Sequence, residues 1–518
     1  MNAGLTLPPA TSPHDPRPHL THPVRKGNIL VPATTSEDNR VHDVVVVGNG
    51  SLGLSLGLTL ARRGLSVAVL GRPHRPGAAS SAAGAMIGTF GEVTTTLLKS
   101  DYGRTKLDWA YQASKLWPEW LAELSPDSDG TDLLTADGTV VMLNAVGLPE
   151  IDTQNYKAIR STLIEYGEKF EDIDPENIEW LDAEPTGRPL QAMFLPNEHA
   201  VNAHALLIRL EQAFLAAGGV IVPEQATRVE QSGGKVTGVA LESGAVLATE
   251  QLVLAAGAAS QTVLDTVPDQ AARIPRLISG YGVSALVDTE DGTTPCSVIR
   301  TPNRAFACGL HVVPRGDGQV YVGATNIISP EPRETPLISD VLFLLNCANR
   351  QVRRDLGESG LRTLQVGNRP VALDGMPLLG ETGLPGLFMM TGTYRDGLTL
   401  SPLLAREMTA LLLGEEPAID LGMFGPVRAP IQPLTREEVV ETTVTHMLAT
   451  GYESNWQVPV EWPNTIEHYL RVAYTRIADE FDPQFTPPPE LLASSRIHPT
   501  LASALREYYA ASHAAAQG

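Results

Sequence analysis

The sequence predicts an α/β protein built around a nucleotide-binding domain, and three observations lead to this fold class. First, Asp43–Val47 is a β-branched run typical of a buried parallel strand. A glycine-rich turn and leucines at helical spacing follow it, and Leu65–Leu70 then resumes as a strand. Second, Gln251–Ala256 and Leu387–Thr391 also have the pattern of strands that end in glycine. Third, other helical and strand patterns interrupt this series, so the nucleotide-binding domain is expected to be discontinuous.

The interrupting segments predict an inserted α+β domain. Leu107–Leu121 has helical periodicity, whereas Val298–Ile299, Ala305–Val313 and Gln319–Ala324 have the pattern of strands. Pro314–Gly318 contains two glycines and a proline, which favours a turn between the last two strands.

These patterns divide the chain into four predicted parts. Residues 1–40, rich in Pro, Thr, Asn and His without periodicity, are expected to form a mobile N-terminal arm. Residues 429–518 are expected to form a C-terminal helical extension, with helices over Thr435–Leu448 and Thr465–Asp479. The ranges assigned to the nucleotide-binding domain are 41–115, 196–270 and 361–428. The ranges assigned to the substrate domain are 116–195 and 271–360.

The composition and charge of the chain argue against several classes of binding partner. The formal charge of −21 argues against nucleic acid and against an anionic membrane surface, and no apolar run approaches the length of a membrane helix. Three cysteines (Cys296, Cys308 and Cys347) cannot form a disulfide framework, and no signal peptide is evident, so a cytoplasmic location is expected. The twelve histidines show no HxxxH or HExxH spacing, so no metal site is expected.

The strongest motif is GxGxxG at Gly48–Gly53, between the first strand and helix. Gly48 permits the tight turn, Gly50 lets the backbone approach a pyrophosphate, and Gly53 allows close helix–strand packing. Free N–H groups at Ser51 and Leu52, with the positive end of the helix dipole, would hold the phosphates.

The next strand departs from this pattern. An acidic residue normally follows it and binds the ribose hydroxyls, but this chain has Gly71 there, followed by Arg72. A missing carboxylate beside a basic residue suggests a 2′-phosphate, and hence NADP, as an alternative.

Several later motifs resemble the D-amino-acid oxidase superfamily of FAD-dependent oxidoreductases, closest to its glycine oxidase branch. Gly77–Met86 (GAASSAAGAM) resembles the family's GAS…AAGM segment, and the resemblance covers about residues 42–428. The other segments that match the family in order are Val201–Leu207, Val253–Ser260, Val312–Thr325, Gly367–Pro370, Asp374–Gly380 and Gly392–Pro402.

The resemblance implies a glutathione-reductase-type, Rossmann-like FAD domain and non-covalent FAD. Relatives that tether flavin do so through a late cysteine, and Arg369–Gly380 contains none. Asp396 and the residues after it would open a long apolar helix, Leu398–Leu413, whose N-terminus faces the flavin pyrimidine. The residues expected to bind the cofactor are Gly48, Gly50, Ser51, Leu52, Gly53, Arg72, Ser80, Ser81, Ala83, Gly84, Met86, Gly257, Gly392, Arg395, Asp396, Gly397, Leu398 and Thr399.

Three residues are expected to carry the chemistry. Arg369 occupies the position with which the family grips the substrate carboxylate, a role suited to a guanidinium fork. Arg395 would meet either that carboxylate or the flavin edge. His311 stands where the glycine oxidase pattern has a carboxylate-binding tyrosine, and a histidine could also charge near neutral pH.

The resemblance therefore implies oxidation of an amine or amino acid by flavin, with O2 as the second substrate. Two alternatives stay open: an FAD dehydrogenase that passes electrons to a carrier, and a non-catalytic assembly subunit docked through 429–518. The same extension could support a homo-oligomer. Pocket shape would depend on loops such as Thr89–Thr96.

Overall fold

The computed structural model describes residues 41–146, 149–303 and 309–517. The predicted arm 1–40 and the first part of the predicted strand Ala305–Val313 lie outside these ranges. The helices are α1 Ser51–Arg62, α2 Asp101–Leu124, α3 Pro149–Tyr166, α4 Ala203–Ala216, α5 Ser260–Leu264, α6 Pro268–Ala271, α7 Ile338–Gln351, α8 Ser401–Leu412, α9 Arg436–Glu453, α10 Trp462–Phe481, α11 Pro489–Ser495 and α12 Pro499–Gln517. The strands are β1 Val44–Val47, β2 Val67–Leu70, β3 Met86–Ile87, β4 Leu134–Ala136, β5 Thr139–Asn144, β6 Glu171–Ile173, β7 Pro189–Leu195, β8 His199–Val201, β9 Val220–Val222, β10 Ala226–Ser232, β11 Lys235–Leu241, β12 Val246–Ala248, β13 Leu252–Leu254, β14 Leu277–Asp288, β15 Val298–Arg300, β16 His311–Gly316, β17 Gln319–Gly323, β18 Ile327–Ser329, β19 Gly360–Ala372, β20 Leu378–Glu381 and β21 Leu387–Thr391.

A six-stranded sheet in the order β20-β21-β13-β1-β2-β9 carries the glycine-rich loop. All its pairings are parallel except that of β20 with β21. Val44 and Val46 pack towards the core that contains α1, α4 and α8, whereas Val45 and Val47 face the core beneath β10–β12. Burial on both faces explains the continuous apolar run of β1.

A nine-stranded sheet forms the second layer, with most strands in the order β18-β14-β17-β16-β15-β5-β7-β6. The ninth strand, β19, pairs antiparallel with β14 from Leu277↔Ala372 to Asp288↔Gly360. The sequence assigned residues 361–372 to the nucleotide-binding domain, but their pairing is with the nine-stranded sheet. The chain from Arg40 to Gly518 forms one compact unit and does not separate into the predicted domains, so the domain boundaries stay predictions.

Two predicted boundaries differ from the structure. The turn expected at Pro314–Gly318 is shorter, because β16 continues to Gly316. The helix expected at Leu398–Leu413 begins only at Ser401, so that prediction of its start is wrong. Pro402 lies in the first turn of α8, where its missing N–H costs no helical hydrogen bond, and a separate turn closes from Leu400 N–H to Asp396 O at 2.9 Å.

The two predicted C-terminal helices are present as α9 and α10, and two further helices, α11 and α12, complete the extension. Thr435 and Glu438 form a capping box at the start of α9. The apolar side chains of the extension share one buried cluster with Ile278 of β14, Ile328 of β18 and Val371 of β19. The extension is therefore packed on the nine-stranded sheet. Within the described ranges, no helix combines the length and apolar character needed to cross a membrane.

Candidate active site

The glycine-rich loop packs too tightly for side chains. Gly48 has φ +122°, and a Cβ there would lie 2.4 Å from the Ala255 carbonyl oxygen at the end of β13. A Cβ on Gly53 would lie 1.9 Å from the Gly48 carbonyl oxygen. Gly50 has no side chain and so leaves open space beside Ser80. The Ser80 Oγ accepts a hydrogen bond from the Ser51 N–H at 3.1 Å. The Ser51 N–H, which was expected to be free, is thus already bonded to Ser80, whereas the glycines bring the loop to the cavity wall at the start of α1.

One continuous cavity extends from this loop to the turn before α8 and brings together most of the predicted site residues. The predicted residues that line it are Gly48, Gly50, Ser51, Leu52, Arg72, Ser80, Ala83, Gly84, Met86, Gly257, His311, Arg369, Arg395, Asp396, Gly397, Leu398 and Thr399.

Three predicted cofactor-binding residues do not line the cavity. Gly53 packs against the loop itself, and the Ser81 hydroxyl donates to the Ala78 carbonyl oxygen at 3.0 Å. Gly392 makes the turn after β21 with φ +72°. These residues support the cavity wall from behind. Motif spacing alone could not show whether a residue lines the cavity or supports its wall.

The missing acidic residue at Gly71 has a steric explanation. A Cβ on Gly71 would come within 2.4 Å of the Asn49 side chain, which fills the space and donates to the Arg72 carbonyl oxygen at 3.1 Å. Arg75 braces the same residue by donating to the Asn49 carbonyl oxygen at 2.8 Å. The Arg72 guanidinium itself is exposed and paired with Glu242 at 2.8 Å. The Asn49 amide therefore occupies the space that a side chain at position 71 would need, which explains the glycine there.

The segment Gly77–Met86 is held by the β16–β17 hairpin. Arg315 donates to the carbonyl oxygens of Ala83 and Gly84 at 3.1 and 3.2 Å, and the Tyr321 hydroxyl donates to Ala82 O at 3.1 Å. These contacts join the nine-stranded sheet to this segment and fix the small-residue backbone that faces the cavity.

Arg369 lies on β19 with its guanidinium over β14. Its Nη1 donates to Thr325 O at 3.1 Å, to Asn326 Oδ1 at 3.2 Å and to Gly280 O at 3.4 Å. A Cβ on Gly282 would lie 2.5 Å from Nη1, so this glycine makes room for the guanidinium. Among the residues that the structure describes, no carboxylate forms an ion pair with Arg369. Its positive charge is therefore positioned by neutral acceptors at the cavity wall.

A second polar cluster lines the same cavity and was not predicted. Arg300 is 1% exposed and donates to Glu92 Oε1 at 2.6 Å and to Asn303 Oδ1 at 2.9 Å. Asn303 Nδ2 donates in turn to the other Glu92 oxygen. Burial raises the pKa of Glu92, but the Arg300 and Arg395 guanidiniums, together with these hydrogen bonds, lower it to about 2. Glu92 thus presents a fixed negative charge.

The loop that carries Glu92 is anchored from behind by Glu198. This buried carboxylate accepts from the N–H groups of Thr89 at 2.8 Å, Phe90, and Gly91 at 3.2 Å. The sequence indicated only that the loop Thr89–Thr96 shapes the pocket, because no local motif connects Glu92 with an arginine 208 positions away.

His311 is buried beside Arg369 and Arg300 and stacks on Tyr321, with ring centroids 5.7 Å apart. Its Nδ1 lies 2.9 Å from the Gly309 carbonyl oxygen, so this nitrogen carries the proton. Burial lowers the pKa of His311 to about 4. The expectation that this histidine could charge near neutral pH is wrong, and the ring is neutral at pH 7.

Because buried His311 is neutral, we expect the free energy of unfolding to fall as the pH becomes acidic. Because the folded pKa of His311 is about 4 and the unfolded value is 6.5, protons bind preferentially to the unfolded chain between these pH values. We expect the wild type to lose ~2–3 kcal/mol more unfolding free energy than His311→Gln as the pH falls from roughly 6.5 to 4.5. Urea denaturation at several pH values measures this difference, and parallel pH profiles for the two proteins would contradict it.

Arg395 and Asp396 mark the far end of the cavity. The Arg395 guanidinium lies 5.4 Å from the ring centroid of Tyr394, and Asp396 pairs with Lys106 of α2 at 2.9 Å. Thr399 Oγ1 donates to Met86 O at 3.4 Å, which joins this turn to the Gly77–Met86 segment. The predicted flavin-side residues therefore meet in space although 313 positions separate them.

A glycine-lined dinucleotide cavity that opens onto cationic side chains of a second sheet defines a nucleotide-dependent redox enzyme. The chain belongs to the FAD dependent oxidoreductase family (DAO), whose sequence model matches residues 43–411. It is 27% identical over 398 residues to glycine oxidase of Geobacillus kaustophilus, covering 75% of this chain and 97% of that one. It is also 27% identical over 391 residues to glycine oxidase of Pseudomonas putida, covering 74% and 98%. The crystal structure of the Geobacillus kaustophilus glycine oxidase superposes with a TM-score of 0.62 at 23% identity, covering 75% and 98%.

These findings confirm the resemblance and the cofactor class. The cofactor is FAD, and the cradle left by Gly48, Gly50 and the small residues of Gly77–Met86 suits a dinucleotide. The NADP alternative raised by Gly71 and Arg72 is not supported. The family model ends before the extension 429–518 begins.

Proposed function

We propose that the protein oxidises the C–N bond of an amino acid or an N-substituted glycine, giving an imine that hydrolyses to an oxo acid. O2 is the final electron acceptor and is reduced to H2O2. Bound FAD supplies the hydride acceptor for this reaction. The observation that supports the proposal is Arg369, because it presents a positively charged fork at the cavity wall and, in the described part of the chain, neutral groups hold it.

The remaining polar groups suit an amino-acid substrate. Arg369 would bind the carboxylate and thereby place the substrate Cα–H towards the flavin site, since orientation is the main requirement of hydride transfer. The Glu92 carboxylate, held ionised beside Arg300, would favour a substrate that also offers a hydrogen-bond donor such as its amine. Hydride transfer requires the amine as its free base, and neutral His311 adds no charge beside it.

Anaerobic titration of the holoenzyme tests this function. We expect at least one compound among glycine, N-methylglycine and the D- and L-amino acids to bleach the flavin, and air to restore its colour with release of one H2O2 per flavin. Methylamine, which has the amine of glycine without its carboxylate, is the matched control and should be inert at equal concentration. Bleaching that air does not reverse would indicate a dehydrogenase, and the absence of bleaching by every compound would favour a non-catalytic assembly subunit.

A further inference from the structure

The C-terminal extension shares a buried core with the active site. Tyr394, which directly precedes Arg395, is 8% exposed and belongs to the same apolar cluster as Leu491 and Leu492 of α11. Val371, two positions after Arg369, belongs to this cluster as well. The extension lies outside the family model, yet its apolar side chains share one buried cluster with residues close in sequence to both arginines of the site.

The Tyr394 side chain is hydrogen-bonded to the support of Arg369. Asn326 Nδ2 donates to the Tyr394 hydroxyl, and Asn326 Oδ1 accepts from Arg369 Nη1 at 3.2 Å. The Asn326 amide therefore links the two side chains, with its nitrogen facing the Tyr394 hydroxyl and its oxygen facing the Arg369 guanidinium. The Tyr394 N–H also donates to the Pro370 carbonyl oxygen at 3.0 Å, so the backbones of the two segments are joined.

The Tyr394 ring occupies a restricted position. Its backbone has φ +54°, a left-handed conformation that non-glycine residues adopt only when surrounding contacts hold them there. A Cβ on Gly280 of β14 would lie 2.8 Å from the ring, and the Arg395 guanidinium lies 5.4 Å from the ring centroid. The Tyr394 ring thus packs against β14 and Arg395, and it belongs to the apolar cluster that contains Leu491 and Leu492 of the extension.

The charge distribution of α11 agrees with this arrangement. Burial raises the pKa of Glu490, whereas the positive charges of Arg395 and Lys106 act in the opposite direction. A carboxylate of the extension therefore lies within electrostatic range of the cavity's cations.

We propose that the C-terminal extension is an integral part of the substrate site. By burying Tyr394 it holds the Tyr394–Asn326–Arg369 hydrogen-bond chain, and thereby positions the guanidinium that binds the substrate carboxylate. Tyr394 is a positioning residue in this arrangement. The inference rests on the proposed carboxylate role of Arg369 and assigns the extension a catalytic-site function instead of a docking function.

This inference can be tested without turnover by measuring acetate binding to the holoenzyme through the change in flavin absorbance. We expect Tyr394→Phe, which keeps the ring and removes the hydroxyl, to weaken acetate binding about 3- to 10-fold at unchanged FAD content. Leu492→Ala, which loosens the cluster from the extension side, should weaken it in the same direction. Tyr469→Phe makes the identical change at an exposed position of α10 and should bind acetate like the wild type.

The outcomes separate this inference from the proposed function. If Arg369→Ala abolishes acetate binding but Tyr394→Phe leaves it at the wild-type value, the positioning role is wrong and the carboxylate grip stands. If acetate fails to bind the wild type, or binds Arg369→Ala equally well, both the grip and the inference are wrong. Should Leu492→Ala not fold, Tyr394→Phe decides the question, since it leaves the apolar cluster intact.

Discussion

Replacing Arg369 with alanine is expected to raise the KM for an amino-acid substrate by roughly 30- to 4,000-fold, corresponding to about 2–5 kcal/mol of binding free energy. The reason is the loss of a charge-assisted fork at a wall where Thr325 O and Asn326 Oδ1 would then lose their donor. FAD content should stay close to that of the wild type, because the guanidinium contacts β14 and its neighbouring loop and not the glycine-rich loop. Steady-state kinetics with the best substrate from the anaerobic titration, together with the flavin-to-protein ratio, measures both effects.

The same strand provides a matched control. Arg362 of β19 has a side chain that is 63% exposed and pairs with Asp288 at 3.1 Å. Arg362→Ala removes the same chemical group from the same strand, and its KM is expected to match that of the wild type within about twofold, as for an exposed ion pair. An unchanged KM in Arg369→Ala would remove the basis of the proposed carboxylate site.

Arg428→Met is expected to have the largest effect on stability, lowering the free energy of unfolding by about 3–5 kcal/mol. Arg428 is 10% exposed and forms two 2.8 Å hydrogen bonds to Asp374, whose side chain is fully buried. Its Nη1 also donates to the carbonyl oxygens of Pro377, Phe424 and Gly425. Methionine would fill most of the volume but would leave the Asp374 carboxylate buried without its counter-charge.

Chemical denaturation of the holoenzyme measures this loss. Arg476→Met is the control, because Arg476 is exposed on α10 and pairs with Glu480 at 2.9 Å, an arrangement worth at most about 1 kcal/mol. Similar unfolding free energies for Arg428→Met and Arg476→Met would contradict the assignment of Arg428 as a buried structural charge. The test also bears on the extension, because Arg428 is the last residue before it and the Ile431 N–H reaches the same Asp374 carboxylate at 3.5 Å.

Elements and residues that belong to short local motifs could be predicted from the sequence. β1, the Gly48–Gly53 turn and α1 follow from residue type and periodicity within one short segment, and the structure confirms them. Arg369 and Arg395 could be named because each lies within a recognisable motif, and the structure brings both to one cavity. Their roles stay predictions until the variants are measured.

Residues without a local pattern could not be predicted. Glu92, Arg300 and Asn303 meet across more than two hundred positions, and nothing near Glu92 in the chain distinguishes it from a solvent-exposed glutamate. The sequence likewise gives no sign that Asn326 and Tyr394 contact each other, although Tyr394 lies in the same motif as Arg395. The sequence predicts too early a start for α8, because apolar residues at helical spacing already occur in the separate turn from Asp396 to Leu400.

The primary structure alone determined the fold class, the cofactor family and the identity of the two arginines, because backbone preferences and short motifs act over a few neighbouring residues. Only the tertiary structure decided the protonation of His311, the Asn49 amide that fills the space beside Gly71, and the apolar cluster that Tyr394 shares with the extension. Each of these depends on burial and on partners from distant segments. Burial and partners set electrostatic and steric free energies that residue order does not specify locally.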